Sequence, residues 1–227
     1  MKLLLFDIDG TLVGSRSGIG RRVLEEAIRC VTGRTVEIPL VLCAGRTDPY
    51  IVDETLASAG ITAGDGIRDA VLAEYVRTLQ PLYRYENGVF VHGGARRILD
   101  ALRERSEILL GLLTGNLQEG ARIKLEAVGL WEYFRLGAFG SDARERDELP
   151  PIAMFRAEKV AGHAFDPRSV YIIGDTVHDV RAGQAHGLVT IAVGNHPQFV
   201  PEIQAAGPDH FLTSLDDFGG FMRAVER

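Results

Sequence analysis

The stretch LLLFDIDGTLVG (residues 3–14) runs from four apolar residues straight into two acids, Asp7 and Asp9, separated by one isoleucine. The apolar run is too short for a helix and reads as a buried β-strand. Like charges this close repel each other, and stability alone gives no reason to place them there. Three further runs have the same character: EILLGLL (107–113), VYII (170–173) and LVTIAV (188–193). Helical periodicity fills the segments between them. Ile19, Val23, Ala27 and Ile28 share one helix face, as do Ala95, Ile98, Leu99 and Leu102. LQEGARIKLEAVG follows the second run, with Gly129 as its stop, and PPIAMFRAEKVAG precedes the third, with prolines suited to a helix start. Apolar strands alternating with helices predict an α/β fold: a doubly wound parallel sheet, Rossmann-like, covered on both faces.

Working outward, the first connection is the oddity. Roughly a hundred residues separate Phe6 from Ile108, against about 30 in a simple βαβ unit. Helical patterns occupy 17–32, the segment from Asp48, and 64–80, and no convincing strand interrupts them. This predicts an all-helical domain, residues 15–86, inserted into a core formed by 1–14 and 87–227. Residues 14–18 and RYENGVF (84–90) read as the two connections, and 209–227 as a last short strand and helix.

The bulk composition is that of an ordinary globular chain: 46% hydrophobic and 25% charged over 227 residues, enough for a sizeable core. A net charge of −6 without a run of Lys or Arg gives no support to nucleic acid or an anionic membrane as partner. Lys2 is followed by only four apolar residues before Asp7, which does not match a signal peptide, and no apolar run approaches the ~18 residues of a membrane span. The expectation is a cytoplasmic protein. Cys30 and Cys43 lack a CxxC spacing and read as small core residues in a reducing compartment. Nothing in the sequence distinguishes a monomer from a homodimer.

In a parallel doubly wound sheet every strand's carboxyl end faces one edge, where ligands bind. The first run is followed by Asp7-Ile8-Asp9-Gly10-Thr11, the second by Thr114-Gly115-Asn116, and the third by Gly174-Asp175-Thr176 with Asp179 one turn on. Four carboxylates at one edge need a cation among them. Only oxygen donors are on offer, which favours Mg²⁺ or Ca²⁺, and few protein ligands completed by water and phosphate is the Mg²⁺ habit. Each residue alone has a plainer reading. Asp175 suits a helix N-cap, Asp179 a solvated first turn, and Thr114 or Asn116 a cap for the 117–128 helix. Their convergence on one edge favours the metal site.

With FDIDGTL (6–12), LLTGN (112–116) and IIGDTVHD (172–179), the chain resembles the haloacid dehalogenase-like hydrolase superfamily over its whole length. Its pattern is similar to the phosphoglycolate-phosphatase-like and β-phosphoglucomutase-like branches, and the helical insert looks like their cap. The resemblance implies Asp7 as a nucleophile forming an aspartyl-phosphate, and Asp9 as the general acid and then base. It implies Mg²⁺ held by the Asp7 carboxylate, the Asp9 carbonyl and Asp175, with Asp179 as a further ligand or acting through water. Thr114, Gly115 and Asn116 would bind the phosphoryl oxygens. The family's third motif is a lysine, and here SDARERDELPPIAMFRAEKV (141–160) has none before its prolines. Arg146 is the first candidate to replace it, since arginine clamps phosphate bidentately; Arg144 and Lys159 are the reserves. In the insert, AGRTDPY (44–50) is expected to face the site. There Arg46 either meets the substrate or is ordinary surface, with Asp48-Pro49 opening a helix.

The implied activity is a Mg²⁺-dependent phosphatase acting on a small phosphate ester, either phosphoglycolate-like or a sugar phosphate. A β-phosphoglucomutase-like mutase keeps the same acids and is the alternative, and a non-catalytic Mg²⁺-binding receiver-like module is a further one. A phosphonatase is disfavoured because residues 15–86 contain no lysine for a Schiff base. GSRSGIGRR carries only part of a dinucleotide-binding GxGxxG. His178 is expected to face solvent.

Overall fold

The computed structural model describes residues 1–15, 18–62, 66–85 and 89–226. In chain order the strands are β1 (Lys2–Phe6), β2 (Val13–Ser15), β3 (Val89–Val91), β4 (Ile108–Leu113), β5 (Leu136–Ala138), β6 (Val170–Gly174), β7 (Val189–Val193) and β8 (His210–Leu212). The helices are α1 (Ile19–Thr32), α2 (Leu40–Cys43), α3 (Asp48–Ser58), α4 (Ile67–Tyr85), α5 (Ala95–Arg103), α6 (Gln118–Ala127), α7 (Leu149–Ala161), α8 (Val177–Ala185), α9 (Val200–Ala205) and α10 (Phe218–Glu226).

Six strands form one sheet in the order β5-β4-β1-β6-β7-β8, and every pairing in it is parallel. This is the doubly wound fold expected from the sequence. The alternation of β1 side chains explains why both faces are covered. Leu4 and Phe6 enter one core with Ile98, Leu99 and Leu102 of α5 and Phe221 of α10. Leu3 and Leu5 enter the other with Leu149, Ala153 and Ala157 of α7. Leu3, Leu4, Leu5 and Phe6 are fully buried, each contributing about 1.5–3 kcal/mol. Since β4 and β6 flank β1 on opposite sides, the strand order reverses at β1 and a crevice opens beyond the carboxyl ends of these three strands.

Helices α1, α3 and α4 build a third core from Val23, Leu24 and Ile28, Ile51, Val52 and Leu56, and Val71, Tyr75 and Leu79. Ile123 of α6 joins this core, so the helical segment packs directly over the helix that follows β4. The connections differ from expectation: β2 and β3 pair antiparallel, with Val13 opposite Val91, making a short ribbon at the base of the helical segment. Parts of both expected connections, residues 16–17 and 86–88, lie outside the described residues, as do 63–65 at the expected start of the third helical pattern. That helix does not stop at Gln80 but continues through Pro81 to Tyr85. Burial of Leu79 and Tyr83 on either side of the proline offsets the backbone hydrogen bond it removes. β5, with three residues, and the short α2 and α9 were not anticipated. Cys30 is exposed and Cys43 half-buried, and both are free thiols, so Cys30 is not a core residue: it falls off the Val23–Ile28 face of α1. Among the described residues no helix is long and apolar enough to cross a membrane.

Candidate active site

Beyond the carboxyl ends of β1, β4 and β6 lies a cleft of about 490 Å³ whose other wall is the helical segment. Asp7 leaves β1 with its N–H bonded to the Ile173 carbonyl at 2.9 Å, which extends the sheet register one residue past the strand. Asp175 follows β6 directly, and Asp179 sits on the first turn of α8. Carboxylate oxygens of Asp7, Asp175 and Asp179 all lie within 4.8 Å of one another, and all three residues are buried. The plain capping readings hold only in part. Thr176, not Asp175, is the N-cap of α8. Asp179 Oδ2 accepts from the Thr176 N–H at 3.0 Å and hydroxyl at 2.6 Å, while its Oδ1 accepts from Arg146. Asp175 Oδ1 accepts from the Thr11 hydroxyl at 3.1 Å. Gly10, at φ +84°, makes room for it: a Cβ there would stand 2.1 Å from Asp175 Oδ2.

Arg146, in a short 3₁₀ turn before α7, brings one Nη to 3.1 Å from Asp7 Oδ1 and to Asp179 Oδ1. Of the three basic residues considered, it alone enters the cluster. Arg144 pairs instead with Asp53 at 3.0 Å and Glu54 at 2.9 Å on α3, and Lys159 lies over the Phe155 ring. Burial pushes the Asp7 carboxyl up to about 6 despite Arg146. Asp175 rises well above the usual carboxylate range through burial and the charges of Asp7 and Asp179. Three buried carboxylates facing one guanidinium keep an excess of negative charge and offer oxygen donors only. That donor set fits a hard divalent cation such as Mg²⁺.

Asp9 does not join this trio. Its side chain is 47% exposed and turns along the cleft, accepting from Asn116 Nδ2 at 2.8 Å and from Lys124 Nζ at 2.6 Å. Thr114, at the end of β4, is fully buried and accepts from Asn116 Nδ2 at 2.8 Å, which leaves its own proton free for an anion. Neither Thr114 nor Asn116 caps α6. The Leu117 N–H at that helix start is taken by Asp48 Oδ2 at 2.8 Å, and the Asp48 N–H reaches the Gly115 carbonyl at 2.8 Å. Thr47, not Asp48, is the N-cap of α3, which frees the Asp48 carboxylate for this contact. Arg46 lines the cleft with its guanidinium over the Tyr50 ring at 4.5 Å. His178 is not a solvent-facing residue: it packs under Gly45. Burial, with Arg46 and Arg146 nearby, lowers it to about 4.

Lys124 was missed from the sequence. Only 4% exposed, it bonds Asp9 Oδ2 and Asn116 Oδ1, both at 2.6 Å. Burial opposes its charge, but Asp9 and the polar groups around it outweigh that and hold the ammonium well above its usual range. The available signal was positional, since Lys124 falls on the face of α6 that buries Gly120 and Ala121.

The sequence profile of haloacid dehalogenase-like hydrolases matches residues 4–184. The chain belongs to that family. Among its curated relatives are a probable phosphatase IndB of Dickeya dadantii, 26% identical over 98% of this chain and 94% of that one, and the phosphoglycolate phosphatase of Escherichia coli K12, 25% identical over 93% and 88%. CbbY from Rhodobacter sphaeroides, solved with phosphate, superposes with a TM-score of 0.74 at 20% identity over the full length of both chains. This haloacid dehalogenase-like hydrolase is therefore an enzyme whose fold is shared end to end with its relatives, and its acid cluster lies at the crevice the fold creates.

Proposed function

We propose that the protein is a Mg²⁺-dependent phosphomonoesterase that hydrolyses a small phosphorylated metabolite through an aspartyl-phosphate on Asp7. The observation that carries this reading is the gathering of Asp7, Asp175 and Asp179 within 4.8 Å with Arg146 against Asp7. The phosphatase names borne by relatives that cover nearly the whole chain support it.

Asp7 attacks phosphorus, a new Asp–O–P bond forms and the ester P–O bond breaks. Asp9 delivers its proton to the departing alkoxide, then takes one from the water that attacks the same phosphorus. The Asp–O–P bond breaks, inorganic phosphate leaves and Asp9 is protonated again. Thr114, with the N–H groups of Gly115 and Asn116, holds the phosphoryl oxygens, and Arg146 takes the place of the family's lysine by neutralising both nucleophile and phosphate. Asp7, Asp175, the Asp9 carbonyl and Asp179, directly or through water, would hold Mg²⁺. Bound there, the ion would neutralise charge developing on the phosphoryl group. Residues 15–86 act as the cap that closes the cleft against water, and Arg46 faces the non-phosphate end of the substrate.

The test is a panel of phosphorylated small metabolites assayed for inorganic phosphate, with and without Mg²⁺. Metal-dependent release from at least one ester is expected. Return of an isomeric sugar phosphate without net phosphate would make the protein a mutase, and silence across the panel with and without metal would remove the hydrolase reading.

A further inference from the structure

Past Asp9, the cleft ends among polar groups that the chemistry above does not use. Tyr75 and Tyr83 of α4 are 3% and 5% exposed, and both line the cleft. Among the described residues, neither hydroxyl has a hydrogen-bond partner. Lys124 spends two of its three N–H groups on Asp9 and Asn116. The three polar tips converge on one point. A Cβ built on Gly20 of α1 would stand 3.6 Å from the Tyr75 hydroxyl and 3.9 Å from both the Tyr83 hydroxyl and Lys124 Nζ. Gly20 has no side chain, so this spot stays open. Two hydroxyls and one spare ammonium N–H that face the cleft beside the bare backbone of Gly20 describe a seat for an acceptor oxygen.

We infer that Lys124, Tyr75 and Tyr83 bind an oxygen-bearing group, a carboxylate or a hydroxyl, carried on a carbon one or two bonds from the ester oxygen of the substrate. The inference rests on the phosphatase reading, because Asp9 marks where that ester oxygen lies. Lys124 Nζ is 2.6 Å from Asp9 Oδ2, which leaves little room between leaving group and seat. The preferred substrates are therefore short esters with an oxygen close to the phosphate. The absence of a side chain at Gly20 is part of the recognition.

The test compares kcat/KM for phosphoglycolate, 2-hydroxyethyl phosphate and ethyl phosphate, the last carrying no second oxygen. Tyr75→Phe and Tyr83→Phe remove only hydroxyls and leave the ring packing in place. Each is expected to lower the ratio of at least one oxygenated ester to ethyl phosphate by roughly tenfold or more. The ester affected identifies the group as carboxylate or hydroxyl. Gly20→Ala fills the seat with a methyl group and should lower the same ratio. It should do so without lowering the thermal midpoint, since alanine is the better helix former. Unchanged ratios in all three variants overturn the seat while leaving the phosphatase intact. A wild-type enzyme that hydrolyses other esters but prefers ethyl phosphate to both oxygenated ones overturns it equally, and silence toward every ester removes the phosphatase reading first.

Discussion

The two ends of the cleft are built differently. At the acid end, Asp7 and Asp175 stand immediately after adjacent parallel strands, and Arg146 enters from a turn packed beneath them. The rigid sheet places these groups, so neighbouring register is enough to bring residues 168 positions apart together. At the far end, Asp48, Tyr75, Tyr83 and Lys124 come from three helices, and their meeting depends on α4 packing over α6. The acid end gathers three carboxylates against one guanidinium, and a divalent cation there would offset the excess. The far end sets the Lys124 ammonium against the Asp9 carboxylate, with Asp48 nearby, and leaves the hydroxyls of Tyr75 and Tyr83 over. On the proposed reading, the first is the site for chemistry and the second the site for choice of substrate.

The difference is testable, and the largest effect belongs to the acid end. Asp7→Asn should lower turnover by at least about 10⁴-fold while circular dichroism and the thermal midpoint report a folded chain. Replacing Arg146 by Met should cost about 3 kcal/mol of stability in denaturant titration, because Asp7 and Asp179 lose the buried cation between them. Mg²⁺ at millimolar concentration should restore part of that loss, and no Mg²⁺ dependence would argue against a metal at the acid end.

The far end yields a smaller, pH-dependent effect. Burial raises the Asp48 carboxyl to about 6, with Lys124 and the Leu117 N–H pulling the other way. An unfolded aspartate titrates near 4, so the folded state holds this proton more tightly. The stability so contributed is complete below about pH 4 and is lost as pH rises through 6, a change of roughly 2–3 kcal/mol. Asp48→Asn keeps an acceptor for the Leu117 N–H and should flatten the stability curve between pH 4 and 6 relative to the wild type. Parallel curves for the two proteins would place the Asp48 carboxyl at an ordinary value.

The contrast also explains what the sequence revealed. Asp7, Thr114 and Asp175 were legible because each follows an apolar run, and in a parallel sheet the end of a run names a place. Arg146 was legible only with the family's missing lysine in mind. Lys124 lies in a helix whose outer face is charged, and nothing local says that α4, some 40 residues earlier, covers it. His178 and Cys30 were misplaced for the same reason: helical periodicity gives a face but not what packs against it. β5 escaped notice because three residues, Leu-Gly-Ala, carry too little pattern, although the Ala138 carbonyl accepts the Thr114 N–H at 3.1 Å and so helps set the turn that follows β4.

The most direct measurement is a rapid acid quench of the enzyme turning over a phosphate ester in Mg²⁺, followed by peptide mass analysis. The aspartyl-phosphate route predicts one added phosphoryl group on the peptide containing Asp7 and none in the Asp7→Asn variant. Steady turnover with that peptide unmodified at every quench time, or the phosphoryl group found on another residue, would contradict it.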